Sequence, residues 1–251
     1  MSFLSSIFGP PDIDKLKSQR DINGLIKALD YNSNKTGIDN DQQTIRCKAA
    51  IALGELGDSK AVPPLIKKLD DEYHVSKDAA WALGTIGDQK AVEPLIQYIS
   101  DPDWKKCGSR GIHVWALGKL GDKKAVDSLI HLLLENHPID TKNAIWALSP
   151  KECAAWALGI LGDKKAIDPL KSIFCQPIPY GRYDDGYGEF YDMKRDVARA
   201  LIRLGVNGNV LCETCTYTKD TGEKECNSKF RLNESHISCM WTRNYGISFR
   251  K

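Results

Sequence analysis

The chain has 251 residues, 42% of them hydrophobic and 27% charged, with a formal net charge of +2. These proportions belong to a globular protein and exclude a disordered chain, a collagen-like fibre or a small disulfide knot. No apolar run approaches the ~20 residues of a membrane span, and a nearly neutral chain lacks the basic footprint of a nucleic-acid binder.

Residues 1–9 are apolar but short, with no basic n-region and no small-residue cleavage site, and Gly9-Pro10-Pro11 breaks the segment. They read as a capping turn or short helix over the end of a core, with a weak membrane-surface anchor as the alternative. The expected compartment is the cytoplasm, where thiols stay reduced.

Beyond this segment the chain repeats itself. Ala49–Asp58, Ala79–Asp88, His113–Asp122 and Ala154–Asp163 nearly superimpose, and Val197–Gly205 is a degraded fifth copy. A second phrase follows, as in Lys60–Leu69 and Lys90–Gln97. The first phrase predicts an apolar helix ending at Gly57, which can turn left-handed. Asp58 then caps the next helix. Pro63 and Pro64 fall in its first turn, where a missing N–H costs little. Leu65, Ile66 and Leu69 give that second helix an apolar stripe. One such helix–turn–helix cannot bury its apolar face alone, so stacking is expected.

The string Ala-Ala-x-Ala-Leu-Gly-x-Leu-Gly-Asp-x-x-Ala-Val-x-Pro-Leu-Ile resembles the HEAT-like repeat of the phycobilisome lyases, across residues 12–208. The resemblance implies an all-α fold, a solenoid of about five helix–turn–helix units filling residues 1–208. Such repeats serve lyase subunits, hydroxylases and scaffolds alike. Some relatives of this repeat type coordinate iron through His-Glu pairs. Here His74, His113, His131, His137 and His236 are followed by Val, Val, Leu, Pro and Ile, which speaks against that activity.

The turn glycines Gly57, Gly87, Gly121, Gly162 and Gly205 lie 30, 34, 41 and 43 residues apart, so the later units carry insertions. Asn136–Lys151 holds one, with the half-copy Asn143–Leu148 that contains Trp146. Ser149-Pro150-Lys151-Glu152 then reads as a capping box restarting the helix of Trp156. Gln176–Tyr191 holds the other, a loop rich in Gly, Asp and Tyr, including Tyr180, Tyr183 and Tyr187. A loop this long is either a plain surface loop or one that contacts a ligand.

Within the first helix of a unit, Leu83 and Ile86 face the core with Ala79 and Ala80. Trp81 lies two residues before Leu83, roughly 200° away around the helix. The same offset holds for Trp115 and Trp156. The column across units reads Ile51, Trp81, Trp115, Trp156, Arg199, and the resemblance implies that it lines the concave surface. It is either an aromatic binding stripe, extended by Trp146, or a set of rings packed between units. One turn on, Glu55, Thr85, Lys119, Ile160 and Arg203 mix charges, which suits a protein, peptide or aromatic small molecule better than a phosphate backbone. The expected function is a non-catalytic protein- or peptide-binding scaffold. The alternative is a bilin lyase or lyase-chaperone subunit, which the repeat type implies. Cys47, Cys107, Cys153 and Cys175 lie at no metal-like spacing and read as structural thiols.

After Gly205 the helical pattern stops. Residues 209–251 lean toward β-structure and carry Cys212, Cys215, Cys226 and Cys239. About 40 residues cannot bury enough apolar area to hold themselves, so a staple is expected. The Cys-x2-Cys start suits a structural zinc knuckle, with His236 as an alternative ligand, while disulfides, another metal or free thiols stay open.

Overall fold

The computed structural model describes residues 10–31, 39–101, 110–135, 150–174 and 188–206. Among the described residues there are helices and short 3-10 turns, and no strand. The helices are α1 (Ile13–Ser18), α2 (Ile22–Ala28), α3 (Asp39–Leu56), α4 (Val62–Lys67), α5 (Tyr73–Ile86), α6 (Val92–Ser100), α7 (Arg110–Leu120), α8 (Val126–Leu134), α9 (Pro150–Leu161), α10 (Ile167–Phe174) and α11 (Gly188–Arg203). Pro150 opens α9 as its position before the Trp156 helix predicts. Within these residues no helix is long and apolar enough to cross a membrane.

The two sequence phrases become two rows of helices. The first phrase forms α3, α5, α7, α9 and α11, and the second forms α4, α6, α8 and α10, joined by α2 at the N-terminal end. Leu53, Leu83, Leu117, Leu158 and Leu201 of the first row are fully buried. So are Leu65, Leu95, Leu129 and Leu170 of the second, and Leu25 of α2. One leucine per helix thus meets its counterparts in a core that runs the length of the array. Val92, Leu95 and Ile99 show the second-row pattern, apolar at i, i+3 and i+7 on one helix face.

The joints between phrases repeat to the atom. Gly57, Gly87, Gly121 and Gly162 have φ of 70°, 79°, 73° and 68°, a region that a side chain rarely enters. Each glycine N–H returns to the carbonyl four residues back, on Leu53, Leu83, Leu117 or Leu158. Asp58, Asp88, Asp122 and Asp163 each accept a backbone N–H two residues on, at 2.9–3.0 Å. They cap a 3-10 turn that leads into the second-row helix, rather than that helix directly.

The packing frame differs by one helix from the frame of the sequence phrases. α3 hardly touches α4 across the Gly57 joint, whereas α2 packs on α3, α4 on α5, α6 on α7, α8 on α9 and α10 on α11. The left-handed glycine and the 3-10 turn swing the chain away before the next helix begins. The packed unit is therefore a second-row helix followed by a first-row helix, and five such pairs are complete at α11. The insertions fall inside these pairs, between the two helices.

Successive first-row helices contact one another densely, and successive second-row helices only sparsely. Two rows with unequal spacing must curve toward the tighter one. The first row is consequently the tightly packed layer, the one that the repeat resemblance implies lines the concave face.

Candidate functional site

Glycine sets the spacing of the first row. A Cβ on Gly54 would lie 2.8 Å from Ala82 Cα and 2.9 Å from Trp81 Cζ3. On Gly84 it would lie 2.8 Å from Ala116 Cα and 3.0 Å from Trp115 Cζ3. On Gly118 it would run into the Trp156 ring, and on Gly159 it would meet Ala200 Cα at 2.8 Å. Each helix thus offers a bare patch of backbone, and the next helix lays its alanine across it, joined by its tryptophan at Gly54, Gly84 and Gly118.

This register decides what the tryptophans do. Trp115 is only 3% exposed, and its Nε1 is buried without a hydrogen-bond partner. It belongs to the core, so the expectation of three indoles standing open along one groove does not hold for it. Trp81 and Trp156 are half-buried and packed against the core. The reason is steric: with the benzo edge seated on the preceding glycine, much of the ring is covered by neighbouring helices before any partner arrives. The reading in which the rings pack between units describes this arrangement.

Arg199, the last member of the column, pairs with Asp196 one turn earlier at 3.1 Å and keeps a side chain 12% exposed. Lys119 and Arg203 are exposed on the first row, and Ile160 between them is 45% exposed. Glu55, at the other end of that row, pairs with Lys17 of α1. Trp146, Tyr180, Tyr183 and Tyr187 lie outside the described residues, as do Cys212, Cys215, Cys226 and Cys239 with the whole of the β-leaning segment.

Two polar arrangements escape the reading by columns. Arg46 of α3 and Arg110 of α7 each stand three residues before the repeated phrase. Each reaches an acid 25 positions further on: Asp71 at 2.8 Å and Glu135 at 3.3 Å. Arg46 also pairs with Glu72 at 3.3 Å, and Arg110 also donates to the carbonyl of Asp101. Arg46 from within α3 and Arg110 from the start of α7 therefore tie first-row helices to segments that follow second-row helices. Burial raises the pKa of Asp71. The Glu72 N–H, Lys68 and Arg46 outweigh that effect and hold the carboxyl below its ordinary value.

The second arrangement centres on His113, which stands where Ala49, Ala79 and Ala154 stand in the other copies. It is fully buried and stacks on Tyr98, with ring centroids 3.7 Å apart and planes 5° from parallel. Ser76 Oγ donates to the Leu69 carbonyl at 2.6 Å and lies 3.2 Å from His113 Nε2. The single hydroxyl proton is thereby committed, so Nε2–H donates to Oγ. A histidine in an alanine column was the available signal, visible as a break in the repeat.

The described thiols are held protonated. Burial, and then the neighbouring Asp78 carboxylate, push Cys47 up to about 12. Burial raises Cys153 as well, with Glu152 and Asp196 adding to it. Thiols of this kind are poor nucleophiles and metal ligands at neutral pH. Among the described residues no group of three or more His, Cys, Asp or Glu side chains is placed to hold a metal.

The model of HEAT repeats matches residues 22–112 and 70–149, and that of the PBS lyase HEAT-like repeat matches residues 154–174. No curated protein sequence matches the chain. Among solved structures, the chain is similar to the complex of CpcE and CpcF of phycocyanin lyase from Nostoc sp. PCC7120. That match has 24% identity and a TM-score of 0.57, over 85% of this chain and 72% of the other. Human deoxyhypusine hydroxylase in complex with glycerol aligns at 19% identity and a TM-score of 0.36, over 84% and 83% of the two chains. The repeat models together span just over half of the sequence, and the helix pairs follow their period: the chain belongs to the HEAT-repeat family.

Proposed function

We propose that the array is a non-catalytic scaffold that binds a protein or peptide along its concave first-row face. The observation that carries this reading is the exposed Ile160, in one column with the exposed Lys119 and Arg203 and one helical turn from the half-buried Trp156. An apolar centre with a cationic rim and an aromatic neighbour is the composition of a protein-binding hot spot. The half-buried Cys47 and the buried Cys153 on this row are held protonated, which makes these two thiols poor nucleophiles. The solved structure of similar fold is itself a complex of two proteins, CpcE and CpcF, which is in keeping with a protein partner. Ile160→Asp with Lys119→Glu should weaken partner capture at least tenfold while the thermal unfolding curve stays in place. Undiminished capture by that variant would move the site off the inner face.

The second reading is a lyase subunit or lyase chaperone, favoured by the fold shared with the phycocyanin lyase complex. Absorbance separates the two. A coloured eluate after affinity purification from the native host supports the lyase reading, and a colourless protein partner supports the scaffold.

For residues 209–251 we propose a small module separate from the repeats, in which Cys212, Cys215, Cys226 and Cys239 hold one structural zinc. The Cys-x2-Cys spacing, at which two thiolates reach one tetrahedral ion, supports this reading. So would the cytoplasmic setting expected from the sequence, which would keep the thiols reduced.

A further inference from the structure

The C-terminal halves of α7, α9 and α11 carry charge of one sign. From Val114 to Leu120, from Trp156 to Leu161 and from Val197 to Arg203 there is no acidic residue, while Lys119, Arg199 and Arg203 are basic. Arg199 is engaged by Asp196 at 3.1 Å. Lys119 and Arg203 are exposed, and among the described residues no carboxylate pairs with either. The column they share holds one acid, Glu55, and Lys17 of α1 already meets it. Asp122 and Asp163, just past the joints of α7 and α9, turn their carboxylates onto backbone N–H groups of the next turn. Among its described members the column thus keeps two uncompensated cations, with the exposed Ile160 between them.

Glycine packing fixes how these three stand. At Gly54, Gly84 and Gly118 an added Cβ would meet a tryptophan ring of the next helix, whereas at Gly159 it would lie 3.6 Å from Arg203 Cδ. The arginine stem therefore lies over α9 beside Ile160, in the seat that an indole takes at the earlier joints. Helices in such close contact run ~8–10 Å apart, which puts Lys119 and Arg203 roughly 16–20 Å from each other across Ile160. An extended chain at ~3.3 Å per residue covers that span in about five or six residues.

We propose that the partner of this face is an acidic protein segment, laid in extended form across α7, α9 and α11, with an apolar side chain on Ile160 and one carboxylate each on Lys119 and Arg203. This rests on the first-row face as the binding face and adds the chemistry of what it holds. The two opposed charges steer the approach and fix the register, while the apolar contact between them excludes water. A nucleic-acid strand fits this pattern poorly. Its phosphates recur at every nucleotide, and one of them would be pressed onto Ile160, where an ion loses hydration without gaining a partner.

The test is fluorescence anisotropy on the full chain, with labelled synthetic peptides of the pattern Glu-x-x-Leu-x-x-Glu in which x is Gly or Ser. The parent should bind this peptide roughly tenfold more tightly than its Gln-for-Glu form, and the preference should shrink at high salt. Lys119→Glu with Arg203→Glu should reverse the choice, rejecting the Glu peptide and taking the Lys-for-Glu form, with thermal unfolding as in the parent. Lys119→Gln with Arg203→Gln, which removes charge without adding repulsion, should abolish the preference and not reverse it. A parent without preference for the Glu peptide, or one that prefers a labelled oligothymidylate, would overturn the acidic partner while leaving the first-row face in place. Glu-peptide binding that persists in both double variants and in Ile160→Asp would instead put the site elsewhere and overturn the face as well.

Discussion

Gly54, Gly84, Gly118 and Gly159, in the last turn of α3, α5, α7 and α9, hold no unusual φ. Their role is to let one backbone touch the next. Replacing such a residue by alanine ordinarily gains about 1 kcal/mol of helix propensity. Gly84→Ala should nonetheless destabilise, because the added Cβ meets Ala116 Cα at 2.8 Å and overpacking costs ~1–3 kcal/mol. Gly118→Ala should cost less, since its main obstacle is the half-buried Trp156 ring, which can shift. Urea denaturation of the two variants gives the ranking, and a reversed order would refute the backbone argument. Trp115 makes the complementary case. Trp115→Ala should cost ~3–5 kcal/mol, as for a large aromatic removed from a core. Trp115→Phe should cost far less, because the indole N–H it removes has no partner to orphan. Acrylamide should leave Trp115 fluorescence almost unquenched while Trp81 and Trp156 respond.

At the scale of elements, the Arg46 clamp links α3 to the segment between α4 and α5 and makes that joint acid-sensitive. The Asp71 carboxyl is held below its ordinary pKa of 3.8 in the folded chain. A depressed carboxyl contributes stability that is present above the unfolded value and disappears as pH falls through the folded one. Stability should therefore drop below about pH 3.8, and Asp71→Asn should flatten that part of the curve. Asp78 acts with the opposite sign. Burial outweighs the help from Lys77 and Cys47 and raises its pKa, so its contribution favours the fold at low pH and declines as pH rises through the folded value. Asp78→Asn should accordingly steepen the net acid loss that Asp71→Asn flattens. Chemical denaturation from pH 2 to 6 reads both slopes.

At the scale of the whole molecule, each helix pair is held by its neighbours, so damage at one end should not spread. If the four tail cysteines hold one zinc, chelation should release residues 210–251 to protease. The far-ultraviolet helical signal should fall by no more than the share of α11, because α2 to α9 keep their own contacts. Zinc content near one per reduced chain, lost in Cys212→Ser with Cys215→Ser, checks the same point. A metal-free protein with a protease-resistant tail would reject zinc as the staple.

The repeated phrase was sufficient to specify the helices, their left-handed glycine joints, the aspartate caps and the solenoid class. All of these depend on residues a few positions apart, and each is written several times along the chain. The column of Trp81, Trp115 and Trp156 was legible as a column, and helical periodicity also placed it away from each helix's own leucine. Whether it stood open was not legible, because exposure depends on how closely the next helix approaches, and that distance is set by a glycine on another helix. The same limit hid the pairing frame: phrases joined by a tight turn look like one unit, yet the turn separates them and the longer loops join true partners. Ser76, Tyr98 and His113, and the arginine clamps, bring together residues 15 to 37 positions apart. Local sequence fixes the direction of a side chain around its own helix, and only the packed array decides what it meets there.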